Sequence, residues 1–217
     1  MSQFSPLYEH PALCDAGFDD GGPSEAGFSL IELMVVLLII AILMAIAIPT
    51  FLGATGSAND RAAQSNLTNG ITEASAAYQA NSQSFNGVSA ALVSSAPEFS
   101  WLAPNVAAAA GSNQISVYTV DVANSADAKG VILAAMSKST NTCWWVTQLA
   151  ATPSAAGIAG TGFDTAASGA GFQSGAATAG TFYAKEAGAG ANCKANYPEN
   201  AGVSFNWGTS YANAGSN

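Results

Sequence analysis

The chain has 217 residues, with 5 Lys+Arg against 14 Asp+Glu and a formal net charge of −9. Only 9% of residues are charged and 49% are hydrophobic, too neutral and too apolar a balance for a disordered acidic chain. Five basic residues cannot build a phosphate-tracking stripe, which excludes sequence-independent nucleic-acid binding.

Taken from the N-terminus, residues 1–27 hold Glu9, Asp15, Asp19, Asp20 and Glu25 and no Lys or Arg. An unbroken apolar run follows, sixteen residues from Leu33 to Ile48. With Phe28, Ser29, Leu30, Ile31 and Glu32 the segment is 21 residues long. As a helix it rises about 31 Å, the thickness of a bilayer's hydrocarbon core. Its apolar residues surround the axis, and a chain this small has no core that would bury such a helix on all sides. A secretory signal peptide fits poorly, because its apolar region is shorter and follows positive charge. Glu32 is the only ionisable residue in the segment. A charge in hydrocarbon costs at least about 2.5–3.5 kcal/mol and marks a functional position by default. A chain beginning at Phe28 would offer its α-amine as a cationic partner, in the same chain or a neighbour. The plain alternative is an interfacial Glu with no role.

Beyond the apolar run, Pro49 removes one intrahelical hydrogen bond and predicts a bend, and Gly53 and Gly56 weaken the helix further. Ala63, Leu67, Ile71, Ala74 and Tyr78 then recur at spacings of 4, 4, 3 and 4, one stripe of an amphipathic helix. Gln64, Asn66, Thr68, Thr72, Glu73 and Ser75 face the other way, and the helix is expected to end near Asn81-Ser82. A single helix from Phe28 to Gln79 would be roughly 80 Å long. A domain core covers only its C-terminal half, so the rest requires lipid or identical helices. Asp60 and Arg61 are either a contact with a neighbouring subunit or a solvated pair.

After a Ser/Asn/Gly linker the pattern turns to strands. Ile115–Val120 alternates with period two, Val131–Met136 is a short apolar run, and Cys143–Leu149 is aromatic and β-branched. Thr181–Ala184 and Val203–Trp207 are weaker candidates, with turn signals at Ala128–Gly130, Lys138–Asn141 and Thr152–Ser154. Three strands and a packed helix suffice for a stable antiparallel sheet, with the Ala63–Tyr78 stripe covering one face. Trp144 or Trp145, together with Trp207, are expected core fillers. Residues 157–190 contain nine glycines and read as an exposed loop, the competing reading being an irregular β segment.

Gly27-Phe28-Ser29-Leu30-Ile31-Glu32-Leu33 followed by the apolar run resembles the class III signal of type IV pilins and their pseudopilin relatives. The resemblance is close over residues 27–82. It implies cleavage by a prepilin peptidase after Gly27, with Phe28 as the methylated N-terminus. Glu32 would pair with the amine of an adjacent subunit, and Pro49 matches the family's helix-kinking proline. The leader ends Ser24-Glu25-Ala26-Gly27, where many relatives carry Lys or Arg, and in this the chain is most similar to actinobacterial pilins. The implied architecture is an α+β pilin fold. Residues 1–27 are the leader, 28–48 the transmembrane and filament-core helix, and 49–82 its continuation past Pro49. Residues 83–217 are a β-rich head with a Gly/Ala-rich loop at 152–192.

Cleavage after Gly27 would remove Cys14 and His10, leaving Cys143, Cys193 and no histidine. Two cysteines outside the membrane suit one disulfide, a pairing that also resembles the pilin pattern; free or metal-binding thiols are the other reading. Without histidine there is no His-based triad, and no phosphate loop or EF-hand spacing appears. No enzyme, cofactor or metal is therefore expected. The resemblance implies a structural subunit of a type IV pilus, or alternatively a pseudopilin of a type II secretion system. Its partners would be identical or related subunits, the prepilin peptidase and a pilus assembly platform protein. The protein would span the membrane once before assembly, head outside the cytoplasm, and then enter a surface pilus.

Overall fold

The computed structural model describes residues 27–109, 111, 113–120, 128–151, 171–172, 179–200, 204–205 and 207–216. The chain divides into two units, Met1–Ile46 and Ala47–Asn217. Helix α1, Leu30–Ala80, begins in the first and ends in the second. In the first unit every described residue is exposed, so the apolar run finds no cover there.

In the second unit α1 runs unbroken through Pro49, Gly53 and Gly56. Side-chain hydroxyls fold back onto the helix here: Thr50 Oγ1 donates to the Ala47 carbonyl at 2.9 Å and Thr55 Oγ1 to Phe51 at 2.8 Å. The expected stripe is the buried one. Leu67 and Ala74 are inaccessible, Ala63 and Ile71 nearly so, and Tyr78 is half-buried. Gly70 lies on the same stripe, where a Cβ would meet Leu133 Cδ1 at 3.1 Å and Ile115 Cδ1 at 3.3 Å. Its missing side chain lets the helix approach the sheet closely.

The sheet contains β1 (Ser100–Leu102), β2 (Gln114–Val120), β3 (Gly130–Met136), β4 (Thr142–Leu149), β6 (Gly180–Ala187) and β8 (Gly215–Ser216). Its spatial order is β1-β2-β3-β4-β6-β8. The central ladders β2·β3, β3·β4 and β4·β6 are antiparallel, while β1 and β8 join as parallel edges. Two further short strands, β5 (Gly171–Phe172) and β7 (Ser204–Phe205), pair with each other in parallel.

Both faces of the sheet are buried. Val131, Leu133, Ala135, Trp144 and Val146 point to α1. Ile132, Ala134, Met136, Cys143 and Trp145 point the other way. Period-two alternation sends neighbours to opposite faces, so Trp144 and Trp145 each fill a separate core. The face away from α1 is covered by irregular chain. Ala108 N donates to the Cys193 carbonyl at 2.8 Å and Asn196 N to Pro104 at 3.2 Å. Buried Ser116 joins the layers, donating to the Ala103 carbonyl at 3.1 Å and accepting from Ala195 N at 3.0 Å. A disulfide, Cys143–Cys193, fixes this cover to β4.

Three expectations need correction. The loop expected over 152–192 gives way at Gly180–Ala187 to a full strand, which contains the weaker candidate Thr181–Ala184 and whose eight residues pair with the whole of β4. Phe182 and Ala184 bury on one face while Tyr183 and Lys185 take the other, an alternation that outweighs the surrounding glycines. Residues 152–170 and 173–178 lie outside the described residues. The stretch after Ser82, expected as a Ser/Asn/Gly linker, is partly structured. It contains α2 (Val88–Ser95), which buries Val88 and Leu92 four residues apart, and it is followed by β1. Asp60 is not a simple solvated partner of Arg61. It accepts a 2.6 Å bond from Thr140 Oγ1 in the β3–β4 turn, and Asn59 bonds Ser139 beside it, while Arg61 is exposed.

Two leucines on α1 should separate the two units in an unfolding experiment. Leu67→Ala is expected to destabilise the head by about 2–5 kcal/mol, whereas Leu38→Ala should leave its melting unchanged in detergent. Cys193→Ser opens a ring whose cysteines are 50 residues apart, and it should cost about 4 kcal/mol by chain entropy. Calorimetry of the three variants against the parent checks all three values.

Candidate functional site

Gly27, Phe28 and Ser29 are non-helical, and α1 starts at Leu30. The reason is a reciprocal cap. Ser29 N–H donates to Glu32 Oε2 at 2.9 Å, and Glu32 N–H donates to Ser29 Oγ at 3.2 Å. This is the capping box, in which a Ser and a Glu three residues later satisfy two N–H groups that a helix start leaves orphaned. The helix's positive N-terminal end also favours a carboxylate at that place. The peptide bond between Gly27 and Phe28 therefore lies outside the helix. Phe28 is 90% exposed.

Glu32 is the only ionisable side chain from Phe28 to Ile48. A carboxylate carries acceptor sites for several donors, so one capping bond does not exhaust it. Its surroundings are apolar, for Phe28, Ile31, Val35 and Val36 line a shallow groove together with Glu32. What this arrangement can do is accept a second donor, of which a cationic amine is the strongest kind. Ser29 is the residue that sequence reasoning passed over. The Ser-x-x-Glu spacing ahead of an apolar run was the available signal.

Of the other sequence-predicted residues, Pro49, Gly53 and Gly56 lie in the part of α1 that belongs to the second unit. Gly53 has open space around it. Gly56 is buried, and a Cβ there would touch Thr140 Cγ2 at 3.5 Å. Cys143 and Cys193 are brought together in the disulfide, with Cα atoms 5.3 Å apart. Among the described residues no cluster of three or more His, Cys, Asp and Glu could hold a metal ion.

Two perturbed groups of the head, Glu186 and Tyr197, interact with each other. Burial raises the Glu186 carboxyl above its ordinary value, and its Oε2 has no hydrogen-bond partner among the described residues. Tyr197 is raised by burial and by the Glu186 charge, while its hydroxyl accepts from Asn192 Nδ2 at 3.3 Å.

Helix α1 is long and apolar enough to cross a membrane, with a mean hydropathy of 3.1 in its most apolar window. The N-terminal segment matches the family model of the prokaryotic N-terminal methylation motif over residues 23–48. No curated protein and no solved structure matches the chain.

A raised carboxyl has a definite linkage sign. Below the unfolded-state pKa of about 4.3 Glu186 is neutral in both states, and its stabilising share is lost as pH rises through the folded value. Glu186→Gln should therefore melt higher than the parent near neutral pH, with the gain vanishing below about pH 4. Thermal melts across that range check it.

The matched motif is the class III signal of type IV pilins and pseudopilins, and residues 23–48 of this chain carry it.

Proposed function

We propose that the protein is a structural subunit of a type IV pilus. A prepilin peptidase cuts the Gly27–Phe28 bond and methylates the new Phe28 amine. The apolar part of α1 holds the subunit in the membrane with the head outside the cytoplasm, and an assembly platform protein then feeds it into a filament. There, helices of neighbouring copies cover one another and Glu32 accepts the Phe28 amine of an adjacent subunit. Pro49, Gly53 and Gly56 give α1 its flexing point in the filament. The protein works as a scaffold and not as an enzyme.

The observation that carries this reading is the exposure of every residue of α1 up to Ile46, around a single carboxylate. In a packed helix core an uncompensated carboxylate is costly, so a subunit out of register is penalised and one in register is not. Pseudopilins of type II secretion systems share the matched segment. Major pseudopilin heads are usually shorter, so the large, neutral, Gly/Ala-rich head, residues 83–217, favours the pilus over that second reading.

Mass spectrometry of sheared surface filaments tests the proposal. An abundant chain beginning with N-methyl-Phe28 is the expected result; an intact leader, or a protein missing from the filaments, would overturn it. Glu32→Leu should remove the protein from filaments while leaving it in the membrane. Unimpaired incorporation of that variant would show that the carboxylate does not set register.

A further inference from the structure

The last described residues cross from one core to the other. Trp207 is buried in the core on the disulfide side of the sheet. Ala214 is buried in the core beneath α1, and half-buried Tyr211 packs against that core. Between them the chain passes over the outer edge of β6 at Gly208. Tyr183 N–H donates to the Gly208 carbonyl and Gly208 N–H to the Tyr183 carbonyl, both at 2.8 Å. A Cβ at Gly208 would lie 2.0 Å from the Asn213 carbonyl oxygen, so the turn admits only glycine. The Ser210 side chain closes the turn from within, accepting from Asn213 N at 3.3 Å.

From this turn Tyr211 reaches α1. Its hydroxyl donates to the Gln64 carbonyl at 3.1 Å, and its ring lies 4.3 Å from that of Tyr183 and 5.8 Å, edge-on, from that of Trp144. Burial pushes the phenol far above its ordinary pKa, which keeps it a donor. Gly215 and Ser216 then add to β6 beside Ala184 and Lys185.

We propose that residues 207–216 are a clasp that closes over the β6 edge and fastens α1 to the sheet. Its hold is local. Among the described residues its backbone pairs with Tyr183, Ala184 and Lys185 of β6, and the Tyr211 hydroxyl joins it to α1. The central ladders and the disulfide do not pass through it. It can therefore open while they stay closed, and its opening precedes any release of the α1 stripe. Such sub-global openings are the events that amide exchange reads. The inference concerns the head and stands whether or not the chain forms pili.

Hydrogen exchange of the full-length chain in detergent micelles tests it, with Gly208→Ala and Tyr211→Phe compared against the parent and against exposed Thr209→Ala. Gly208→Ala should speed exchange of the α1 amides from Gln64 to Ile71 about tenfold, and Tyr211→Phe about fivefold. The β3 amides from Gly130 to Met136 should keep their parental rates in both. Faster exchange confined to 207–216 would show a tail that fastens nothing. Equal acceleration in β3 would show one cooperative core with no separate clasp. If Gly208→Ala does not fold, Tyr211→Phe decides by the same two criteria.

Discussion

Hydrocarbon on every side of a helix must be covered by something other than water, and α1 meets that demand differently along its length. From Leu30 to Ile46 nothing among the described residues covers it, and large side chains such as Leu38 and Ile46 are 61% and 65% exposed. At about 25 cal/mol per Å² of apolar surface, so many exposed side chains represent a large driving force for lipid or for another helix. From Ala63 to Ala74 the same helix needs only one covered stripe, and the sheet supplies it. In the first stretch Glu32 stands against the apolar trend. Its bond to Ser29 makes it part of the helix end, which moderates the cost of a charge in that place.

In the head, α1 on one face and irregular chain on the other leave β3 buried along its whole length. An irregular layer over a sheet must account for its own backbone polar groups. Ser116, the Trp145 indole bonded to the Lys194 carbonyl at 2.8 Å, and the direct backbone bonds to 104 and 193 do this. The disulfide then holds the layer where loop entropy would otherwise loosen it.

Much of this was legible in the sequence, for reasons that differ between elements. The three central strands announced themselves by β-branched and aromatic runs between turn residues. The α1 stripe did so by its spacing. Glu32 was conspicuous as one charge in an apolar run, but its partner Ser29 was not, because a cap shows only when the helix boundary is known. Helix α2 was hidden because eight residues of Val, Ser, Ala and Leu carry too few apolar positions to set a period. Strand β6 was legible only as the weak candidate Thr181–Ala184, its full length masked by the glycines around it. The burial of both sheet faces was readable only as Trp144 beside Trp145, which alternation alone would place on opposite sides. Gly70 gave no signal, since a close approach of helix and sheet is a tertiary fact.

Leu149, the last residue of β4, faces Gly180, the first of β6, across an antiparallel ladder. Eight paired positions therefore hold the two ends of the intervening chain one inter-strand spacing apart. Within that chain, Gly171–Phe172 is held a second time by its pairing with Ser204–Phe205. The entropy of bringing the two ends together is thus met by the ladder itself, and a substitution that frayed Leu149 from Gly180 would widen the mouth of the connection before it touched the centre of the sheet.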